Sequence, residues 1–185
     1  YPAGLADCAA VLRDAPALLR QAGCRHDGRL RLGGDSGGGA LAATLAARKR
    51  DARQPAIDRL ALVYPSLDYT MSLPSVRANG RGLLLEAERI AWYFDNYFRH
   101  GEDRRAASPL HMPITAALPP TLVVTAGFCP LLDEGLAYVQ ALRQAQVPVR
   151  HEHLADMIHA YLNLEDLVPE ACAATYAAVA PILTD

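Results

Sequence analysis

Five of the seven residues between Leu32 and Ala40 are glycines, and they enclose an acid and a serine: Gly33-Gly34-Asp35-Ser36-Gly37-Gly38-Gly39. Before them Leu30 and Leu32 alternate with Arg29 and Arg31, the period of a short strand. After them an alanine-rich stretch from Gly37 to about Arg50 reads as a helix. The chain must turn sharply from strand to helix at Ser36. Gly34, Ser36 and Gly38 form G-x-S-x-G, the pattern that lifts a serine hydroxyl clear of a sheet on strained backbone. Glycines are expected around it because Cβ atoms there would collide with strand and helix. The helix would point its free N–H groups and positive dipole end at the serine, the field an oxyanion needs. An ordinary strand-to-helix turn is the bland alternative. A phosphate loop would need Gly-Lys-Ser/Thr, and Ser36 is followed only by glycines.

The same rhythm continues downstream. Leu60–Pro65 and Thr121–Gly127 are short apolar runs ended by Pro or Gly, as buried parallel strands are, and Val147–Leu154 is a further strand candidate. Helical patterns cover Asp7–Ala22, Glu86–Phe98, Glu134–Gln146 and about Glu165–Leu183. Strands alternating with helices give an α/β fold, a mostly parallel sheet with helices on both faces. Its ligand site belongs at the carboxyl ends of the strands, where Ser36 and the segment Gly127–Asp133 fall.

In such a sheet a catalytic triad runs serine, acid, histidine along the chain. His159 is the natural base, in the segment Ala155-Asp156-Met157-Ile158-His159, read as a loop after the last strand. His151 and His153 share a strand face and could be drawn with His159 as a metal site, but no cysteine or helical histidine pair supplies further ligands. No metal or other cofactor is expected. His26, His100 and His111 read as surface or loop residues.

Three blocks of this sequence resemble the hormone-sensitive-lipase-like family of α/β-hydrolases: Gly-Asp-Ser-Gly-Gly-Gly (34–39), Ala-Gly-Phe-Cys-Pro-Leu-Leu-Asp-Glu-Gly (126–135) and Met-Ile-His-Ala-Tyr (157–161). Tyr64-Pro65, Ala107-Ser108-Pro109-Leu110 and Leu118-Pro119-Pro120-Thr121 are lesser matches, and the resemblance runs over essentially all 185 residues. It implies a carboxylic ester hydrolase of the carboxylesterase or lipase type, acting on short-chain acyl esters. Ser36 would be the nucleophile, His159 the general base and the backbone N–H of Gly37 an oxyanion donor. It also implies that about 68–120, which holds Pro74, Pro109, Pro113, Pro119 and Pro120, includes a helical cap. The aromatic run Trp92-Tyr93-Phe94 within it would pack on the core or line an acyl pocket.

The sequence departs from the family in three places. The family's triad acid position is occupied by Cys129, a thiol that is mostly neutral at pH 7 and cannot stabilise an imidazolium as a carboxylate does. Asp133 is the nearest carboxylate and could substitute if the loop shifts; otherwise Asp133 and Glu134 are first-turn acids at the next helix N-terminus. Arg31 stands where the family prefers a small apolar residue, so it needs a carboxylate or a path to water. The chain also starts at Tyr1 inside what resembles the helix before the nucleophile strand, after the place of the family's His-Gly-Gly oxyanion motif. It is expected to be the C-terminal part of the fold, a partial catalytic domain and a poor enzyme alone.

Net charge −2 leaves no basic surface for nucleic acid, and no apolar run approaches the ~18 residues of a membrane span. Cys8, Cys24, Cys129 and Cys172 are widely spaced, which fits reduced thiols in a cytoplasmic protein. The expected partner is a small-molecule ester, with homo-oligomerisation left open. A different class of function, an impaired hydrolase homologue that binds a ligand, is raised by Cys129. The retention of Ser36 and His159 speaks for chemistry.

Overall fold

The computed structural model describes residues 1–48 and 55–184. Four parallel strands lie in the order β1-β2-β3-β4, each preceded and followed by helical structure. They are β1 (Leu30–Asp35), β2 (Ile57–Val63), β3 (Thr121–Phe128) and β4 (Val149–Ile158). The longer helices are α1 (Ala3–Gln21), α2 (Ser36–Ala47), α4 (Ala87–Tyr97), α6 (Leu132–Gln144) and α7 (Pro169–Thr184). Two short ones, α3 (Pro74–Ala78) and α5 (Arg104–Ala107), join α4 in the irregular region between β2 and β3. The expected end of the second helix at Arg50 lies outside the described residues.

The period-2 alternation of strands sorts the core into two layers. Leu122, Val124 and Ala126 of β3 pack with Cys172 and Ala178 of α7. Val123 of the same strand packs with Leu60 and Leu62 of β2 against Ala42 and Ala43 of α2 and Tyr138 and Leu142 of α6. Helices therefore cover both faces, and α1 lies outside α2 through Leu5 and Leu45. None of the described helices is long and apolar enough to cross a membrane.

One expectation needs correction. Residues 155–158, read as loop, continue β4, so His159 is the first residue beyond the strand. The extension is possible because β3 and β4 stay paired past a register shift between Ala126 and Phe128. Gly127 lies in that shift, and a Cβ there would come within 1.9 Å of the Ala155 carbonyl oxygen. Arg31 has the carboxylate partner expected for it. Strand β1 is an edge of this sheet, and Arg31 turns back along the chain to Asp27, 2.9 Å from its carboxylate. Hydrogen bonds from Arg31 and from the Arg29 backbone hold the Asp27 carboxyl well below its ordinary range.

Candidate active site

Ser36 sits at the tip of β1 as the first residue of α2, with a φ of 50°. That left-handed backbone is costly for a non-glycine residue, and the surroundings hold it in place. The Ser36 carbonyl accepts a hydrogen bond from the Ser66 N–H at 3.0 Å, tying the turn to the loop after β2. A Cβ on Gly34 would lie 2.3 Å from the Gly38 carbonyl, and one on Gly39 would lie 2.7 Å from the Pro65 Cβ. These two glycines let strand, helix and loop meet. Gly37 and Gly38 have no such crowding, so the expectation that every surrounding glycine is sterically required holds for only part of the run. Gly37 lies in the first turn of α2, where backbone N–H groups have no intrahelical acceptor.

His159 follows β4, at the opposite end of the strand order from β1, and reaches Ser36 there. Its Nε2 lies 2.9 Å from Ser36 Oγ and its Nδ1 lies 3.1 Å from Cys129 Sγ. Ala160, immediately after it, has a φ of 57°, which turns the chain away from the site. The Tyr64 ring packs edge-on against the imidazole at 4.8 Å between centroids. His159 is 5% exposed, and burial pulls its pKa down to about 4.

The Cys129 thiol is also buried, and burial pushes it up to about 12. It is thus a neutral group that also accepts the Leu131 N–H at 3.3 Å. A carboxylate at this position can only accept from Nδ1–H, which leaves Nε2 free to take the serine proton. A neutral thiol can accept from Nδ1 or donate to it, so it selects between the two tautomers weakly.

Asp133 and Glu134 go elsewhere. Asp133 accepts the Ser75 N–H at 2.8 Å, while its own N–H donates to Ser75 Oγ. Glu134 is 1% exposed and accepts the N–H groups of Leu67 and Asp68 at 2.9 and 3.1 Å. Burial raises its pKa well above the usual carboxylate value. Both stand in the first turn of α6, as expected, and each also fastens that helix to the segment after β2. His151 Nε2 and His153 Nδ1 both lie 2.9 Å from Thr125 Oγ1, so this pair shares a hydroxyl and is separate from His159. Among the described residues no cluster of three or more His, Cys, Asp or Glu is arranged to hold a metal. Of the outlying histidines, His111 is more engaged than expected, with Nε2 3.5 Å from the buried Asp68 carboxylate.

Two cavities lie at this turn, one of them lined by the serine itself. One of about 340 Å³ is bordered by Ser36, Gly37, Ser66, Ile90, Phe94 and Leu131. The other, about 290 Å³, shares Gly37, Ser66, Tyr93 and Phe94 and extends to Tyr69 and Tyr97. Ile90 and Phe94 of α4 are core residues and cavity walls at once. Trp92 is exposed, with the Arg89 guanidinium over its ring. Tyr64 stands out in the sequence only as part of the Tyr64-Pro65 match, and Ser66 not at all. The signal both carry is position, directly after a strand whose end faces the serine.

A family model described as the alpha/beta hydrolase fold matches residues 1–163. The chain belongs to this family. It is the hormone-sensitive-lipase-like branch of the α/β-hydrolases that the sequence resembles. Esterase LipI of Mycobacterium tuberculosis is 36% identical over 179 residues, covering 95% of this chain and 55% of LipI. The ethyl acetate hydrolase of Pseudomonas putida is 35% identical over 146 residues, covering 77% of this chain and 46% of that protein. The crystal structure of a thermostable esterase from Pseudomonas putida superposes with a TM-score of 0.86 at 32% identity, covering 96% of this chain and 57% of that one. The chain spans about half the length of the curated relatives it matches.

Proposed function

We propose that the protein hydrolyses carboxylic esters through an acyl-enzyme on Ser36. The observation that carries this reading is the 2.9 Å approach of Ser36 Oγ to His159 Nε2 on a strained turn that opens a helix. The names of the relatives, esterases and an ethyl acetate hydrolase, support the same reaction class. Ser36 Oγ attacks the ester carbonyl as His159 Nε2 takes its proton, and the Gly37 N–H donates to the developing oxyanion. The tetrahedral species collapses, His159 returns the proton to the leaving alkoxide, and an alcohol departs. Water, deprotonated by the same nitrogen, then releases the acid.

Apolar cavities of about 290 and 340 Å³ fit short acyl and alkoxy groups, and we read residues 68–120 as the cap above them. Cys8, Cys24, Cys129 and Cys172 are all free thiols, which supports a cytoplasmic setting. The competing reading, a ligand-binding homologue with impaired turnover, rests on the neutral Cys129 at Nδ1; the intact Ser36–His159 contact favours hydrolysis. In the protein at its natural length, Ser36→Ala should abolish p-nitrophenyl acetate turnover and fluorophosphonate labelling while leaving circular dichroism unchanged. Labelling that persists in that variant would remove Ser36 from the mechanism.

A further inference from the structure

Asn79 is the residue at which α3 ends, and its backbone gives no reason for an amide there. Asparagine near a helix end is often explained by left-handed backbone, but the φ of Asn79 is −112°, open to any residue. The chain around it is held without the side chain. The Asn79 N–H donates to the Ser75 carbonyl at 2.8 Å, and the Ala87 N–H donates to the Gly80 carbonyl at 2.8 Å. A Cβ on Gly80 would lie 2.1 Å from the Val76 carbonyl oxygen, so the chain is closely packed at this point. From that base Asn79 Nδ2 donates to two carbonyls, Gly127 at 3.3 Å and Cys129 at 3.2 Å. An amide nitrogen carries one hydrogen for each. The amide oxygen could bond neither, and the two acceptors therefore set the orientation of the group.

The two carbonyls flank Phe128, where the β3–β4 register shifts. Such an irregularity interrupts the ladder that would otherwise hold a strand end, so a bond from outside the sheet helps decide where its residues lie. The same segment presses on β4, where a side chain on Gly127 would strike the Ala155 carbonyl. Cys129 Sγ then lies 3.1 Å from His159 Nδ1, while His159 Nε2 faces Ser36. Asn79 lines neither cavity at the serine. We propose that Asn79 is a positioning residue for ester hydrolysis: its amide fixes residues 127–129 so that Cys129 Sγ stays against His159 Nδ1 and the ring stays aimed at Ser36. This rests on the ester-hydrolase reading above and adds a residue of the 68–120 region to it.

The test follows the His159 imidazole by NMR titration, which needs no turnover, together with kcat and KM for p-nitrophenyl acetate, in the protein at its natural length. Burial holds the His159 pKa at about 4, and the groups against its ring, Ser36, Cys129 and Tyr64, are neutral there. In Asn79→Ala and in Asn79→Leu, which keeps the bulk without the donors, the titration should move up towards 6.5 as the loop slackens and water reaches the ring. In both variants kcat should fall about tenfold with KM within about twofold, the pattern of a misplaced catalytic group. Asp103→Ala is the control for general loosening. It strips the N-cap bond from Asp103 to the Ala106 N–H at 3.0 Å, in the same region but away from the loop. It should leave titration and kcat as they are in the parent. A His159 titration unmoved in both Asn79 variants would overturn the proposal, as would an equal shift in the control. A kcat kept within about twofold despite a shifted titration would also overturn it. A parent that hydrolyses no ester would instead overturn the hydrolase reading, and the titration would still decide whether Asn79 places Cys129.

Discussion

The turn that carries Ser36 and the loop that carries Cys129 meet at one imidazole, yet they are built from different material. The turn works through its backbone: a φ of 50°, a helix N-terminus, and two glycines whose Cβ atoms would strike Gly38 and Pro65. Changing it means changing the path of the chain. The loop works through one side-chain atom. Besides the Leu131 N–H on Cys129 Sγ, its backbone is held by the Cys129 N–H on the Ala126 carbonyl and the Leu132 N–H on the Cys129 carbonyl, two bonds that do not depend on the side chain. An acid can therefore be lost there without disturbing the fold, and Cys129 fills the space at 1% exposure. Catalytic electrostatics can be altered by one substitution where catalytic geometry cannot.

The largest expected effect comes from restoring the charge. Removing the acid function of a serine-protease triad lowers kcat by ~10⁴, roughly 5 kcal/mol of barrier. In Cys129→Asp the carboxylate would inherit the Leu131 N–H and lie beside His159 Nδ1, fixing the productive tautomer. Part of the gain is offset by burying a charge, so kcat should rise by about 10²-fold or more in the protein at its natural length. Assay of the variant alongside the parent checks this. An unchanged rate would mean that His159 works without an acid partner, and the contrast between turn and loop would lose its functional content.

A second effect follows from the low pKa of His159. Its neutral form is the base, so the acid limb of kcat/KM should fall near pH 4 rather than near the ordinary 6.5. In Cys129→Asp the new carboxylate favours the imidazolium, and the limb should move up. The same shift bears on stability. A histidine whose folded pKa lies below its unfolded value favours unfolding when protonated. The folded state therefore keeps its full stability above about 6.5 and loses it as the pH falls from there towards 4. The gap corresponds to roughly 3 kcal/mol. Denaturant titrations at pH 7 and pH 4.5, with His159→Gln as control, measure it. An identical pH dependence in that control would assign the loss to other groups.

How much of this was legible in the sequence depends on whether a signal was local. The strands near Leu60, Thr121 and Val147 and the turn at Ser36 were readable because apolar runs and glycines report local backbone. The run to Ile158 was missed because Ala155 and Asp156 look like a turn, and only pairing with β3 across Gly127 keeps them in the sheet. Cys129 was recognisable as a substituted acid only through family resemblance, since nothing local distinguishes a buried thiol beside a histidine from a core cysteine. Ser66 and Glu134 were beyond reach. The Ser66 N–H bonds the Ser36 carbonyl from a loop after a different strand, and Glu134 bonds backbone more than sixty residues away.

The smallest expected effect separates Asp133 from catalysis. Its carboxylate is committed to the Ser75 N–H, and Ser75 in turn donates to the Pro130 carbonyl, so Asp133 holds α3 against the start of α6. In Asp133→Asn the amide oxygen can still accept from Ser75. What is lost is a negative charge in the first turn of α6, worth about 0.3–1 kcal/mol. Stability should drop by no more than about 1 kcal/mol, and kcat should stay within about twofold. Asp133→Ala, which leaves the Ser75 N–H without its acceptor, should cost about 1–3 kcal/mol of stability while the rate of the folded fraction is kept. A collapse of kcat in Asp133→Asn with an unchanged denaturation midpoint would mean that the loop moves during turnover and Asp133 reaches His159. Cys129→Asp should then add little, so assaying the two variants together decides whether the acid loop is a static substitution or a moving part.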